Sequence, residues 1–257
     1  MTSLTIKTFI ANLVGVNVFE FLRYNIGLKQ YIKTNQRVFD RLLFPDDIVF
    51  DIGANIGGMT HYFSKNCVNG SVYSFEPNSY NYNLLLKTIR RYKLRNIFHF
   101  NMAVGNKNDV WRLAIPTMGK YNINTRSTIS SNTISEYEMD KKIILNYQET
   151  KVITLDTFCF ERKINKIDFI KEDTEGSLTE VIQGGVDIIK STLPTFYVEL
   201  GIKENPPKTL SDLGYKRYVV SDDSTIHPFD SCDGINKYDR TNALFIHESK
   251  LNKYVHV

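Results

Sequence analysis

The sequence is poor in cysteine, tryptophan and long apolar runs, and each shortage excludes something. Its three cysteines, Cys67, Cys159 and Cys232, lie far apart and without metal-ligand spacing. An odd, dispersed set gives no disulfide framework and reads as reduced thiols in a cytoplasmic protein. The five histidines show no H-x-x-x-H or similar pairing, so no structural zinc site is expected. No uninterrupted apolar run reaches about 18 residues, so a membrane-spanning helix is not expected. The basic start and small-residue cleavage site of a signal peptide are also missing. The excess of charge is small: a net +4 permits an acidic partner without demanding one. There is no internal repeat and no low-complexity tract.

What is present suits an ordinary globular chain. The 257 residues are 42% hydrophobic and 23% charged, enough for one α/β domain with additions. Residues 1–45 read as an N-terminal helical extension and 46–257 as the main domain. Within the extension, residues 4–28 are moderately apolar but interrupted by Lys7, Asn12, Asn17, Glu20 and Arg23. One reading is one or two helices packed on the domain. The other is a helix lying on a membrane surface, a peripheral membrane contact. Residues 36–44 read as a helix ending at Phe44-Pro45.

The main domain opens on residues 47–58, where Asp47-Ile48-Val49-Phe50-Asp51-Ile52 runs into Gly53-Ala54-Asn55-Ile56-Gly57-Gly58. The apolar run suits a strand buried on both faces of a parallel sheet. Gly53 and Gly57 allow a tight turn and a close backbone approach to a ligand. The helix that follows aims free N–H groups at the same place. A dinucleotide fingerprint needs three glycines spaced G-x-G-x-x-G, and here Asn55 stands in the middle position. The turn reads D-x-G-x-N-x-G instead. It resembles motif I of class I S-adenosylmethionine (SAM) methyltransferases, in which this loop wraps the methionyl part of the cofactor.

A second apolar run, Ser71 to Phe75, ends in Glu76, 25 residues beyond Asp51. That spacing is about one strand-helix-strand unit. An acid at the second strand tip can accept hydrogen bonds from ribose hydroxyls. Pro77-Asn78 then starts a helix over 79–92. Lys87, Arg90, Arg91, Lys93 and Arg95 cluster near the end of that helix. They read as a solvated, dipole-compensating terminus, and no nucleic-acid partner is expected from them. Ile97–Val104 reads as the third strand, its end at Ala103 lying beside an adenine. Val110–Ile115 and Lys151–Leu155 read as extra strands, paired as a hairpin. The polar insert between them, 116–150, reads as a substrate loop or lid, or as a mobile surface loop. Arg126-Ser127-Thr128 is its candidate acceptor contact.

The next informative block is Ile167 through Gly176, a strand running into a turn with four charges between Lys171 and Glu175. Ligands in such sheets bind outside the carboxyl ends of the strands. Asp173 and Glu175 are two apart and share a face if the backbone stays extended. Such a pair can deprotonate a hydroxyl, hold a divalent cation or bind sugar hydroxyls. Asp156 reads as a helix cap. A helix is expected over 177–190, and a fifth strand over Pro194–Gly201, again tipped by an acid. Asn205-Pro206-Pro207 reads as a helix start. Strands at 216–220 and 242–247 would finish the sheet around a polar segment, 221–241.

As a set these pieces resemble the FkbM family of SAM-dependent methyltransferases. The resemblance rests on residues 50–57, 72–78, 154–158 and 167–176, with Pro194 to Glu199 and Leu213-Gly214-Tyr215 also fitting. It covers about 46–220. It implies an α/β, doubly wound, seven-stranded class I methyltransferase sheet, mostly parallel with one antiparallel strand and helices on both faces. It implies SAM as cofactor and O-methylation, often of sugars or other natural-product hydroxyls. Two positions depart from the family pattern: Leu178 stands where a further acid is usual, and Glu172 where the family carries an apolar residue.

The residues expected to carry the function follow. Asp51, Gly53, Asn55 and Gly57 shape the methionyl site. Glu76 and Asn78 hold the ribose, with Ala103 beside the base. Asp173 or Glu175 is the base or a metal ligand, oriented by Lys171. His61 is a second base candidate, and the metal is left open. The expected partner is a small-molecule or glycan acceptor. The rival readings are an RNA or protein methyltransferase and a non-catalytic SAM-fold interaction module.

Overall fold

A computed structural model describes residues 39–118, 121–122, 124–140, 142–200, 205–221, 226–229 and 238–254. The helices expected over 4–28, their membrane reading and much of the segment 221–241 lie outside these residues.

The core is a mostly parallel sheet. Strands β1 (Ile48–Ile52), β2 (Ser71–Phe75) and β3 (Ile97–Phe100) alternate with helices α1 (Gly58–Asn66) and α2 (Ser79–Tyr92). A small second sheet intervenes, built from β4 (Ala103–Val104), β5 (Asp109–Met118), β6 (Tyr121–Asn122) and β7 (Ile143–Ile153), with helix α3 (Ser131–Met139) before β7. The chain returns through α4 (Leu155–Arg162), β8 (Phe169–Glu172), α5 (Leu178–Gln183), α6 (Val186–Thr192) and β9 (Thr195–Glu199). It closes with α7 (Lys208–Asp212), β10 (Tyr215–Ser221), β11 (Ile226–Pro228), β12 (Tyr238–His247) and α8 (Leu251–Tyr254).

The main sheet has eight strands, in the order β11-β10-β12-β9-β8-β1-β2-β3, not seven. The unexpected strand is the short edge β11, which pairs antiparallel to β10. Its last residue, Pro228, has no N–H to offer a further strand. β12 is antiparallel to both of its neighbours, so two strands rather than one oppose the rest.

Both faces of this sheet are buried, which explains why its strands are mainly apolar, with buried polar residues such as Ser74, Asp51 and Lys171 toward their carboxyl ends. Val49, Phe169, Tyr197 and Leu244 point to one side, packed with Phe39, Met59 and Phe63. Phe50, Ile170, Phe196 and Phe245 point to the other, packed with Phe158, Val181 and Leu210. Fully burying one such side chain contributes roughly 1.5–3 kcal/mol.

Three expectations on the main chain need correction. The third strand stops at Phe100, and Ala103 opens β4 of the second sheet, paired with Val152. The insert 116–150 is not a bare loop: β5 and β7 pair from Asp109↔Val152 to Met118↔Ile143, and α3 sits between them. The helix expected over 177–190 is two helices. It breaks at Gly184, where a Cβ would lie 2.0 Å from the Gly105 carbonyl oxygen. Asp156 does cap a helix, but a neighbouring one: its carboxylate accepts the backbone N–H of Ile188 at 2.9 Å, in the first turn of α6.

Candidate active site

The carboxyl ends of β1, β2, β8 and β9 meet at one edge of the main sheet, and the polar residues that end them form the site. After Ile52 the chain turns through Gly53 (φ 77°), Asn55 (φ 51°) and Gly57 (φ 86°), all left-handed. These glycines make room for protein. A Cβ on Gly53 would lie 1.9 Å from the carbonyl oxygen of Asp173, and one on Gly57 would lie 2.5 Å from Leu85 Cδ1. The first fixes the glycine loop against the acid-bearing turn. The second seats α1 on α2.

A row of polar residues crosses three strands beneath this loop. Ser74, Asp51 and Lys171 are register partners on β2, β1 and β8. Thr60 of α1 donates to Asp51 Oδ2 at 2.5 Å and lies 3.1 Å from Ser74 Oγ. The Lys171 ammonium donates to the Gly53 carbonyl at 2.9 Å, 3.6 Å from Asp51 Oδ1 and 3.2 Å from Asp173 Oδ2. Burial raises the Asp51 carboxyl above its ordinary value, against the pull of Lys171. Lys171 thus ties the glycine loop to the acid turn.

Glu76 closes the second strand and is buried. Its Oε2 accepts the Asn55 N–H at 2.7 Å, and its Oε1 accepts the Asn78 N–H at 2.9 Å. Burial pushes its pKa up to about 7, although both N–H groups work against that shift. Asn78 is spent on the protein. Its Oδ1 caps α2 by accepting from Tyr80 and Asn81, and its Nδ2 donates to Ser127 Oγ at 2.8 Å and Asn124 Oδ1 at 3.3 Å. Ala103 makes only backbone pairing in β4, and Asn101 instead braces the Glu76 turn by donating to the Glu76 carbonyl at 2.8 Å.

The acid turn begins where β8 stops at Glu172. Glu175 is left-handed (φ 55°), so Asp173 and Glu175 are not held on one face by an extended backbone, as their spacing suggested. A bend keeps them near each other instead. Burial raises the Glu175 carboxyl, the Asp173 charge raises it further, and Arg126 opposes both. Asp173 is half-exposed. Burial works against its charge, but Lys171 prevails, so its carboxyl sits below the ordinary range. Glu172, the departure noted in the sequence, is buried and accepts a hydrogen bond from the Thr174 hydroxyl. Burial pushes it up to about 7.

The insert roofs this turn. Thr128 and Thr133 both donate to the Glu175 carbonyl at 2.9 Å. Asn124 and Gln148 reach the other side, where the Asn124 carbonyl accepts from Asn81 at 2.9 Å and Gln148 Nε2 donates to the Pro77 carbonyl at 2.9 Å. His61 faces elsewhere, stacked on Tyr92 at 4.0 Å. Among the described residues no group of three His, Cys, Asp or Glu side chains is arranged to hold a metal ion.

Sequence reasoning noted Glu199 as the acid that ends β9 but gave it no role. Register pairs Glu172 with Val198, so the next residues, Asp173 and Glu199, emerge side by side. The available signal was the repeated acid at a strand tip, already used for Glu76.

Comparison with known proteins then defines the class. Residues 51–214, well over half of the chain, match the methyltransferase FkbM domain. The chain belongs to the FkbM methyltransferase family, whose members are SAM-dependent enzymes. It is similar to a crystal structure of the FkbM methyltransferase from Methylobacillus flagellatus, at 16% identity and TM-score 0.47. That match covers 80% of this chain and 44% of the other, so this chain spans less than half of that protein. It is similar to precorrin-6y C5,15-methyltransferase from Geobacter metallireducens, at 12% identity and TM-score 0.44, over 83% of this chain and 84% of that one. It is also similar to Aeropyrum pernix fibrillarin with natively bound SAM, at 15% identity and TM-score 0.40, over 80% and 67%. No curated protein matches the chain.

The residues fit the family's cofactor. Among the described residues Asp51 Oδ1 and Asn55 Oδ1, both at the glycine loop, are buried acceptors that receive no hydrogen bond, although the Lys171 ammonium lies 3.6 Å from the first. SAM brings donors for such acceptors, an ammonium and a pair of ribose hydroxyls.

Proposed function

We propose that this protein transfers a methyl group from SAM to a hydroxyl of a sugar, glycan precursor or similar metabolite, as a cytoplasmic step of the kind polysaccharide biosynthesis uses. One observation carries the reading: the acid turn abuts the cofactor loop, with the Asp173 carbonyl filling the space that a Gly53 side chain would need. Carboxyl groups therefore stand beside the loop that holds the methionyl end. When bound, SAM supplies a methyl group already activated on a sulfonium.

The protein's task is then position and proton removal. Asp51 and Asn55 hold the methionyl end, with Gly53 and Gly57 setting the loop's path. Glu76 holds the ribose, and Asn78 steadies the turn that carries it. Ala103 lies on the way to the base. Asp173 accepts the acceptor's O–H hydrogen bond and turns a lone pair toward the methyl group. Its low basicity is no obstacle: an oxygen gaining a third bond becomes strongly acidic, so a carboxylate in the right place suffices. Lys171 keeps Asp173 ionised and in place, and Glu175 borders the acceptor.

The basic cluster at 87–95 supports no RNA reading. Helix α2 starts at the site and runs 14 residues back along the sheet, about 20 Å. Its basic end is thus at the far edge. The deciding experiment offers labelled SAM to pools of glycan precursors, RNA and peptides. Label in the glycan pool is expected. Label in RNA or peptide with none in hydroxylated metabolites would overturn the acceptor class.

A further inference from the structure

We infer that Glu199 completes the catalytic apparatus as a neutral positioning residue: it shares one proton with Asp173 and fixes which Asp173 oxygen faces the acceptor. The inference rests on the methyl-transfer reading above.

Geometry carries it. The parallel pairing of β8 and β9, through Glu172↔Val198, brings Asp173 and Glu199 out of adjacent strand tips, side by side, and each carboxyl shifts the acidity of the other. Two carboxylates side by side repel, so one of the pair keeps a proton, which it can offer to the other. Lys171 decides which partner keeps it. Its ammonium is 3.2 Å from Asp173 Oδ2 and favours the charge on Asp173. Among the described residues no lysine or arginine forms an ion pair with Glu199, whereas Lys171 does with Asp173, so Glu199 is the acid and donates.

The surroundings agree. Asp173, Glu175 and Glu172 on the acid turn all raise Glu199, after burial and although solvent reaches the side chain. From the insert, Tyr137 faces the same corner as a neutral phenol, its own pKa raised by burial first and by Glu199 and Glu175 among its neighbours. From β10, Arg217 is directed at the Leu200 carbonyl, at 3.5 Å. From β12, the register partner of Glu199 is the neutral Asn242.

The arrangement divides labour at Asp173. One oxygen is held by Lys171, and Glu199 donates to the carboxylate from the β9 side. The remaining acceptor position is left for the substrate hydroxyl. As the oxygen–methyl bond forms and the carbon–sulfur bond breaks, its electron pair leaving on sulfur, the hydroxyl proton passes to Asp173. The pair then holds two protons and returns one to solvent.

Two arms test this. The first needs no acceptor: infrared difference spectra between neutral and alkaline pH should show a protonated carboxyl band that Glu199→Gln removes. The second is turnover. Glu199→Gln keeps an N–H donor toward Asp173, so it should retain turnover within a few-fold at neutral pH and lose the alkaline decline of the wild type. Glu199→Ala should lose at least tenfold. S-adenosylhomocysteine affinity unchanged in each variant reports an intact fold. Absence of the carboxyl band overturns the pair, and so does a Glu199→Gln variant that binds cofactor normally yet is inactive, because Glu199 would then be needed ionised. A wild-type enzyme that methylates no hydroxyl defeats the function proposed above, while the infrared arm still decides the shared proton.

Discussion

The backbone N–H of Asn55 donates to Glu76 Oε2 at 2.7 Å, joining the glycine loop to the tip of the second strand. The bond aims the acid from below and leaves its remaining lone pairs for a ribose. Glu76→Ala should therefore weaken S-adenosylhomocysteine binding roughly ten- to a hundredfold, the range of one or two hydrogen bonds to a charged group. Burial holds the free Glu76 near pKa 7. The ionised acid is the better acceptor, so affinity should fall as pH drops from 8 to 6. Calorimetry at both values decides it, and a flat profile would detach Glu76 from the cofactor.

Gly53 and Gly57 both carry left-handed backbone, yet their substitutions should differ. A Cβ at Gly53 meets the Asp173 carbonyl, which is backbone and cannot step aside. Gly53→Ala should cost roughly 3 kcal/mol, left-handed strain plus overlap, and displace the acid turn. A Cβ at Gly57 meets Leu85 Cδ1, the end of a side chain that can rotate. Gly57→Ala should cost about half as much. Urea unfolding of the two variants measures the difference, and equal losses would contradict the packing described.

Much of this was legible in the sequence, and the reason is physical. Strands buried on both faces must be continuously apolar, so β1, β2, β8 and β9 stood out, and each ended in an acid or a glycine turn. Glu76, Asp173 and Lys171 were singled out that way. Their partners were not, because a register is a tertiary fact: nothing in the chain says that Asp173 emerges beside Glu199, or Asp51 beside Lys171. The glycines were read as places of close approach to a ligand, and the protein neighbours at those places are the Asp173 carbonyl and Leu85. Ligand, carbonyl and leucine all demand the same missing Cβ. The insert looked unstructured because β5 and β7 are half-exposed and carry polar residues throughout. Their pairing partners lie 43 residues apart at one end of the ladder and 25 at the other, beyond the reach of local pattern.

Thr128 and Thr133 clamp one carbonyl, that of Glu175, from two parts of the insert. Neither hydroxyl touches the residues assigned to the cofactor. The double variant Thr128→Val, Thr133→Val keeps shape and removes both donors, letting the acid turn drift. Turnover should fall on the order of tenfold or more, the cost of sub-ångström misplacement, with S-adenosylhomocysteine affinity unchanged. Serine at both positions should restore it. Loss of cofactor affinity in the valine variant would show that the roof serves the cofactor half instead.

Glu172 gives the clearest pH signature in the apo protein. It is buried, it accepts from the Thr174 hydroxyl, and burial lifts its pKa from an ordinary 4.5 to about 7. The folded state therefore binds its proton more tightly than the unfolded chain does. Stability from this group is fully present below pH 4.5 and is lost as pH rises through about 7. A shift of that size corresponds to about 3 kcal/mol. Glutamine can keep the Thr174 bond and cannot ionise. Glu172→Gln should thus match the wild type near pH 4.5 and exceed it by about 3 kcal/mol at pH 8, as read from urea unfolding at the two values. Other groups tilt the pH profile of both proteins alike, so the difference between the two curves isolates this carboxyl. A variant no more stable than the wild type at pH 8 would mean that the charge at Glu172 is solvated or paired in the folded protein.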